Sequence, residues 1–256
     1  MRPLIALYFY LLSSGLAASQ AVEQVHDSSA IELAASNYPP YHAKYLPHGG
    51  FITEIVSRAF AAKSYKVKVD FYTANQAFDI TKFNFVDGIF MISHDNKYDK
   101  DFYFSKPIIY INLNLLGLKT NHKLAAEYLD NTQLKVLNIV TGKDYVLPEI
   151  LQDDSLNIQT TLDDKSAILL LLAGKVDLVL LDESLSRDLL ASDFKDSQAK
   201  MFFWPGKSLA SVAKYLAVAR NHPNAKKIIF AFNYGLDVIK DNGQYDKIIN
   251  AAYTKN

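Results

Sequence analysis

Short apolar strands alternate with amphipathic helices along most of this chain, and the whole pattern occurs twice. In the first copy, residues 31–35 (IELAA) predict a strand that must end before the proline pair at 39–40, because proline cannot continue a strand ladder. A helix with one buried stripe starts at Phe51, and residues 67–72 and 88–92 predict two further strands. Alternation of this kind is typical of a parallel sheet with helices on both faces, so the predicted fold class is α/β.

The second copy has the same composition of elements. Residues 134–140 predict a strand, and residues 141–144 predict a turn into a helix. Asp163 is a good N-cap for a helix that ends near Gly174, and residues 176–181 predict the next buried strand. Two last helices are predicted over residues 223–242 and 245–253.

Two apolar stretches connect the copies, at residues 112–119 and 214–220. If both stretches cross between the copies as strands, the C-terminus completes the first half. The predicted fold therefore has two lobes, each a doubly wound, mostly parallel sheet, joined by two crossing strands. The predicted bounds are residues 22–114 plus 218–256 for lobe one and 115–217 for lobe two. Two crossings predict a hinge between the lobes.

The N-terminus has the three regions of a secretory signal peptide. Arg2 is followed by an apolar run at residues 4–12, and Ser19 and Ala21 fit the small positions of a cleavage site. A membrane anchor would need about 20 apolar residues, and this run is far shorter. The mature chain is predicted to begin near Val22, in the periplasm. The chain has no cysteine, which excludes disulfides and a lipid-anchored cysteine at the cleavage site.

Charge and motif content exclude several function classes. The 27 basic and 27 acidic side chains balance, whereas a nucleic-acid partner would call for a clustered basic face. The six histidines lack metal-ligand spacing, and no nucleophile elbow or phosphate loop is present. The sequence therefore predicts no catalytic residue, no metal, no cofactor and no nucleic-acid partner, and we expect a monomer.

Six segments, in the right order along nearly the whole mature chain, resemble the bacterial extracellular solute-binding proteins of family 3, the polar amino-acid receptors of ABC importers. They are YPPY (38–41), GGFITEIV (49–56), FVDGIF (85–90), FYFSKPI (102–108), AGKVDLVLLD (173–182) and DNGQYDKII (241–249). The resemblance implies a type II periplasmic binding fold in which the lobes close on a small polar solute, an amino acid or a related compound. It also implies a membrane partner, either the permease of an ABC importer or a membrane sensor. The chain ends at Asn256, shortly after the last predicted helix, which predicts no fused sensor module.

The resemblance also implies where the solute is held. Asp182 lies at a strand end and corresponds to an Asp that binds the ligand's ammonium, although it would also serve as a helix N-cap. Tyr38 and Tyr41 flank the proline pair; one is expected to stack on the ligand and the other to pack under the loop, with Tyr38 the better match for stacking. Ser93 is expected to contact the ligand, or else to satisfy its own turn.

The carboxylate side of the site departs from the family. Gly142, Lys143 and Asp144 lie where the family has a turn whose backbone amides hold a carboxylate. The family's carboxylate-binding Arg is missing from residues 94–99, where Lys97 is the nearest cation. The missing Arg puts an α-amino-acid ligand in question.

A cyclohexadienyl-dehydratase-like enzyme is an alternative on the same fold. Such an enzyme would recruit a cleft acid, with Glu54, Asp144 or Glu183 available. These three residues are also ordinary helix-start acids, which the helix dipole stabilises.

Overall fold

The computed structural model describes residues 30–124, 129–142 and 145–253. The predicted signal peptide and the candidate site residues Lys143 and Asp144 lie outside the described residues. No helix in the described ranges is long and apolar enough to cross a membrane.

The strands are β1 (Ala30–Ser36), β2 (Lys66–Tyr72), β3 (Gly88–Ser93), β4 (Phe102–Phe104), β5 (Ile109–Leu118), β6 (Asn138–Gly142), β7 (Asn157–Thr161), β8 (Leu178–Asp182), β9 (Phe202–Phe203) and β10 (Ala210–Ala219). The helices are α1 (Phe51–Ala61), α2 (Ala74–Lys82), α3 (Asn131–Leu134), α4 (Asp164–Leu172), α5 (Glu183–Asp193), α6 (Asp196–Ala199), α7 (Ala225–Asp241) and α8 (Gln244–Tyr253). Single 3₁₀ turns occupy Pro47–Gly49, Asn96–Tyr98, His122–Leu124 and Glu149–Leu151.

The strands form one curled sheet in the order β2-β1-β3-β10-β5-β8-β6-β7, with β4 paired to β10 and β9 paired to β5. In the first half-sheet, β1 is parallel to β2 and β3; in the second half-sheet, β6 is parallel to β7 and β8. Strands β10 and β5 run antiparallel to their neighbours. Each half therefore has the same strand order, which confirms two equivalent α/β halves.

The two long strands β5 and β10 join the halves, as predicted for crossing strands. Residues 210–214 of β10 pair with residues 109–113 of β5, and residues 214–217 of β10 pair with β3. Residues 113–117 of β5 pair with β8. Both strands begin a few residues earlier than the apolar pattern indicates, because their first residues pair with each other at the junction.

Close helix packing covers the first half-sheet. The stripe predicted on α1 is buried, and Phe60 meets Phe232 of α7 with ring centroids 5.3 Å apart. A side chain at Gly235 of α7 would overlap the backbone carbonyl of Ala59, so only glycine allows the two helices to approach this closely. The α1·α7 pair buries apolar surface that would otherwise remain exposed on one face of the sheet.

Two local predictions in the second half are wrong. The strand predicted from residue 134 begins only at Asn138, because Asp130 accepts a hydrogen bond from the backbone of Gln133 (2.8 Å) and starts the short helix α3. The helix predicted to follow the turn at residues 141–144 is absent from the described residues 145–156, which contain only the 3₁₀ turn Glu149–Leu151. Pro148 disfavours helical backbone at the residue before it, which opposes a helix there.

Candidate ligand-binding site

Asp182 lies between the two half-sheets, at the carboxyl end of β8. Its side chain is fully buried, and its Oδ1 accepts hydrogen bonds from the backbone N–H groups of Ser184 (2.8 Å) and Leu185 (3.1 Å). Asp182 is therefore the N-cap of α5. The same carboxylate also faces the first half-sheet, at the edge where open α/β sheets bind ligands.

Two tyrosines from the loop after β1 reach across to this carboxylate. The Tyr38 hydroxyl donates to Asp182 Oδ2 (3.1 Å), and the Tyr41 hydroxyl donates to Oδ1 (2.9 Å). Their rings are stacked, with centroids 5.4 Å apart. Tyr41 is fully buried whereas Tyr38 is half-buried, so Tyr38 is the one of the pair that keeps solvent-accessible surface.

Burial dominates the protonation of this cluster. It raises the pKa of Asp182, although the hydrogen bonds from Leu185 and the two tyrosines act in the opposite direction. Burial also raises the pKa values of Tyr38 and Tyr41, with a further increase from the charge of Asp182. Both phenols are therefore neutral donors, and the cluster carries no more than one negative charge.

Tyr145, three residues after the end of β6, completes the second half of the cluster. Its hydroxyl accepts a hydrogen bond from the Asp182 backbone N–H (3.2 Å) and donates to Asp164 Oδ2 (3.2 Å). A Cβ at Gly142 would lie 3.2 Å from the Tyr145 ring and 3.0 Å from Asp164 Oδ1. Gly142 thus leaves room for the Tyr145 ring.

Ser93 and Lys214 supply the polar groups of the first half. Ser93 ends β3 and pairs in register with Lys214 of β10, and the Lys214 ammonium donates to Ser93 Oγ (3.0 Å). The ammonium also lies 5.9 Å from the centroid of the Tyr38 ring. Burial lowers the pKa of Lys214, while the charge of Asp182 acts in the opposite direction.

A β-bulge in β3 adjoins this pair. The register between β3 and β10 shifts between Tyr215 and Leu216, and Met91, the unpaired residue, has a φ of 63°. A buried methionine inside a strand rarely adopts this backbone conformation. Bulges often change the direction of the side chains that follow them, and Ser93 lies two residues after this bulge.

His42 lies beneath Tyr38, on the first-half side. The imidazole is 1% exposed, and neither ring nitrogen has a hydrogen-bond partner among the described residues. Its ring centroid is 5.1 Å from that of Phe90 and 6.2 Å from that of Tyr38. Burial, together with the charge of Lys214, lowers the pKa of His42 to about 3, so the ring is neutral at pH 7.

Several other candidates lie apart from this cluster. Lys97 is mostly exposed on its 3₁₀ turn and pairs with Asp95 (2.8 Å). The helix-start acids Glu54 and Glu183 pair with Arg58 (3.5 Å) and Arg187 (2.6 Å), one turn along their own helices. Within the described ranges, no group of three or more metal-ligating side chains comes together.

A separate groove of about 650 Å³ lies beside the cluster. It is lined mainly by α1, α8 and the loop before α1, and Asp188 of α5 also lines it. Helices α5 and α8, which belong to different halves, therefore both border this groove.

The sequence indicated Asp182, Tyr38, Tyr41, Ser93 and Gly142, and the fold brings these residues to the junction of the halves. Sequence reasoning missed Lys214, Tyr145 and His42. Lys214 did carry a signal, because it is a lysine in an otherwise apolar crossing strand. Tyr145 and His42 carried none, since a tyrosine or histidine in a loop is usually a surface residue.

No protein-family model and no curated protein matches the chain. Solved structures do match. A histidine kinase sensor domain with similarity to periplasmic binding proteins superposes with a TM-score of 0.71 at 18% identity, covering 87% of this chain and 95% of its own. An amino acid ABC transporter substrate-binding protein, AbpA from Streptococcus pneumoniae bound to L-arginine, gives 0.68 at 16% identity, covering 88% and 95%. The GluR0 ligand-binding core from Nostoc punctiforme in complex with L-glutamate gives 0.66 at 19% identity, covering 87% and 99%. The chain therefore has the two-lobed fold of periplasmic binding proteins.

Proposed function

We propose that this protein is an exported solute-binding protein of family 3 that captures a small polar solute between its lobes and delivers it to the permease of an ABC importer. One observation carries the proposal: the hydroxyls of Tyr38 and Tyr41, in one half, bond to the Asp182 carboxylate of the other half. Buried polar groups that converge between two lobes are the usual form of a small-molecule site. Amino-acid binding proteins of ABC transporters among the similar structures support the transport role.

The proposed lobes divide within the crossing strands, at residues 22–114 plus 218–256 and 115–217. Closure then consists of a rotation about the paired strands β5 and β10. Tyr38 and Ser93 would contact the solute from lobe one, and Lys214 from the part of the crossing strand β10 that pairs with β3. Gly142, Tyr145 and Asp182 would contact it from lobe two. A solute that bonds to both sets stabilises the closed state, because the open state offers it only one set.

A second candidate is a sensor role, in which the closed protein docks a membrane receptor. The similarity to a histidine kinase sensor domain favours it as an alternative. Solute capture is common to both roles, so a pull-down from membranes with the solute-saturated protein distinguishes them by the partner recovered. Enrichment of a permease supports the importer role, and enrichment of a receptor replaces it.

A thermal-shift screen tests solute capture directly. The chain from Val22 is screened against amino acids, polyamines, small carboxylates and sugars. A solute at 100 times its dissociation constant should add about 2.7 kcal/mol to the free energy of unfolding, which raises the melting temperature by roughly 5–10 °C at 2–4 °C per kcal/mol. A flat response across all four classes would contradict the proposed function.

A further inference from the structure

The ammonium of Lys214 is a half-buried positive charge that forms no salt bridge with an acid of the described residues. Its one hydrogen bond goes to a neutral group, Ser93 Oγ at 3.0 Å, and it forms no ion pair with any described residue. An ammonium carries three donor hydrogens, so two remain available here. Taking a cation out of water is costly unless a counter-charge compensates it.

Asp182, the nearest acid in the cluster, does not provide that counter-charge by contact. Its oxygens already accept four hydrogen bonds, from the Ser184 and Leu185 backbone and from the Tyr38 and Tyr41 hydroxyls. Three of these bonds end at Oδ1, and the fourth, from the Tyr38 hydroxyl, ends at Oδ2. An incoming ammonium would therefore have to compete with the Tyr38 hydroxyl for Oδ2, because Oδ1 already has three donors.

Lys214 lies at the point where three strands meet. In register, it pairs with Ser93 of β3 on one side and with Ile109 of β5 on the other, so it lies where the crossing strands meet the first half-sheet. The bulge at Met91 lies two residues before Ser93. The half-buried Tyr38 lies beside the ammonium, with its ring centroid 5.9 Å away.

We propose that Lys214 and Ser93 form the anion-binding point of the interlobe site, and that the solute is a small carboxylate that needs no α-ammonium. This inference rests on the proposed function. The carboxylate accepts from the Lys214 ammonium and the Ser93 hydroxyl, and the body of the solute lies against the Tyr38 ring. Lys214 on β10 then binds the carboxylate of the ligand, a role for which Lys97 was the nearest cation in the sequence.

Calorimetric titration with matched pairs of solutes tests the charge preference. The probes are pyruvate against L-alanine, and 2-oxoglutarate against L-glutamate; each pair differs by an oxo group in place of the α-ammonium. At least one oxo acid should bind as tightly as its amino-acid partner or more tightly. Amino acids that bind more than about tenfold tighter than their oxo partners would overturn the inference.

Variants locate the anion. Lys214→Met should weaken the best-binding oxo acid about 10- to 100-fold, as expected for the loss of a charge-assisted hydrogen bond. Ser93→Ala should weaken it by a smaller factor and leaves the lysine in place, so it carries the test if the first variant fails to fold. Lys175→Met, at an exposed lysine in the loop after α4, is the matched control and should bind as the unaltered protein does.

The outcomes separate this inference from the proposed function. If the protein binds an amine or a sugar but no carboxylate, the proposed role of Lys214 is wrong, whereas solute capture stands. Unchanged affinity of an oxo acid in both Lys214→Met and Ser93→Ala does the same. No heat with any carboxylate or amino acid, together with a flat thermal-shift screen, removes both.

Discussion

Asp182→Ala is expected to lower the free energy of unfolding by about 3–8 kcal/mol. The change removes the N-cap of α5, which typically costs about 1–2 kcal/mol. It also leaves the hydroxyls of Tyr38 and Tyr41 without their acceptor, and each such loss in a buried site costs about 1–3 kcal/mol. Chemical denaturation at pH 7 measures the difference, and the melting temperature should fall by roughly 6 °C or more.

Two control variants separate these contributions. Asp163 is the N-cap of α4 and accepts one hydrogen bond, from the Ser166 backbone (2.7 Å), so Asp163→Ala should cost only about 1 kcal/mol. Asp182→Asn keeps an acceptor for the cap and should fall between the two alanine variants. If Asp182→Ala costs no more than Asp163→Ala, the tyrosine contacts between the halves contribute nothing.

Acid should destabilise the protein through His42. In the folded state its pKa is lowered to about 3, whereas an unfolded histidine has a pKa of about 6.5. The unfolded chain therefore binds more protons between these two values, so the contribution of His42 is complete above about pH 6.5 and is lost as the pH falls towards 3. Between pH 7 and pH 4 the loss amounts to about 3 kcal/mol, measured as the change in unfolding free energy.

His42→Leu isolates this contribution, since leucine has a similar volume and does not titrate. The pKa of Asp182 is raised in the folded state, so its protonation acts in the opposite direction at low pH, and it is present in both proteins. Lys214, whose charge contributes to the lowered pKa of His42, is also present in both proteins. An unfolded lysine stays protonated below pH 7. The unfolding free energy of the unaltered protein minus that of His42→Leu should therefore fall by about 3 kcal/mol from pH 7 to pH 4. Parallel pH profiles would show that His42 does not resist protonation.

The element pattern could be predicted because each element carries its own signal. Local sequence features decide this local structure. Examples are the apolar stripe of α1, the N-cap Asp163 of α4 and the Asn242-Gly243 end of α7. The predicted strand from residue 134 was wrong where two local signals competed. Apolar residues favoured a strand there, and the Asp130 capping box favoured a helical turn.

Residues of the site could be predicted only where a local sequence feature, such as the end of a strand, marks their position. Asp182 follows a buried strand, and that position alone places its side chain at the sheet edge. The contact of Tyr41 with Asp182 spans 141 residues of sequence, and no local pattern encodes such a pair. The place of Lys214 in the site follows from its register partner Ser93, which the sequence alone does not show. Long-range register is a property of the assembled sheet.

Closure of the two lobes on a solute would shorten the distance between them, and that distance can be measured. The chain has no cysteine, so Lys247→Cys in α8 and Ala191→Cys in α5 give a doubly labelled protein without a background reaction. Both positions are exposed, and their helices contribute Lys247 and Asp188 to the lining of the same groove. Pulsed electron paramagnetic resonance then measures the distance with and without the solute that gives the largest thermal shift. We expect a shorter mean distance and a narrower distribution when the solute is bound. An unchanged distribution at saturating solute would contradict closure of the lobes.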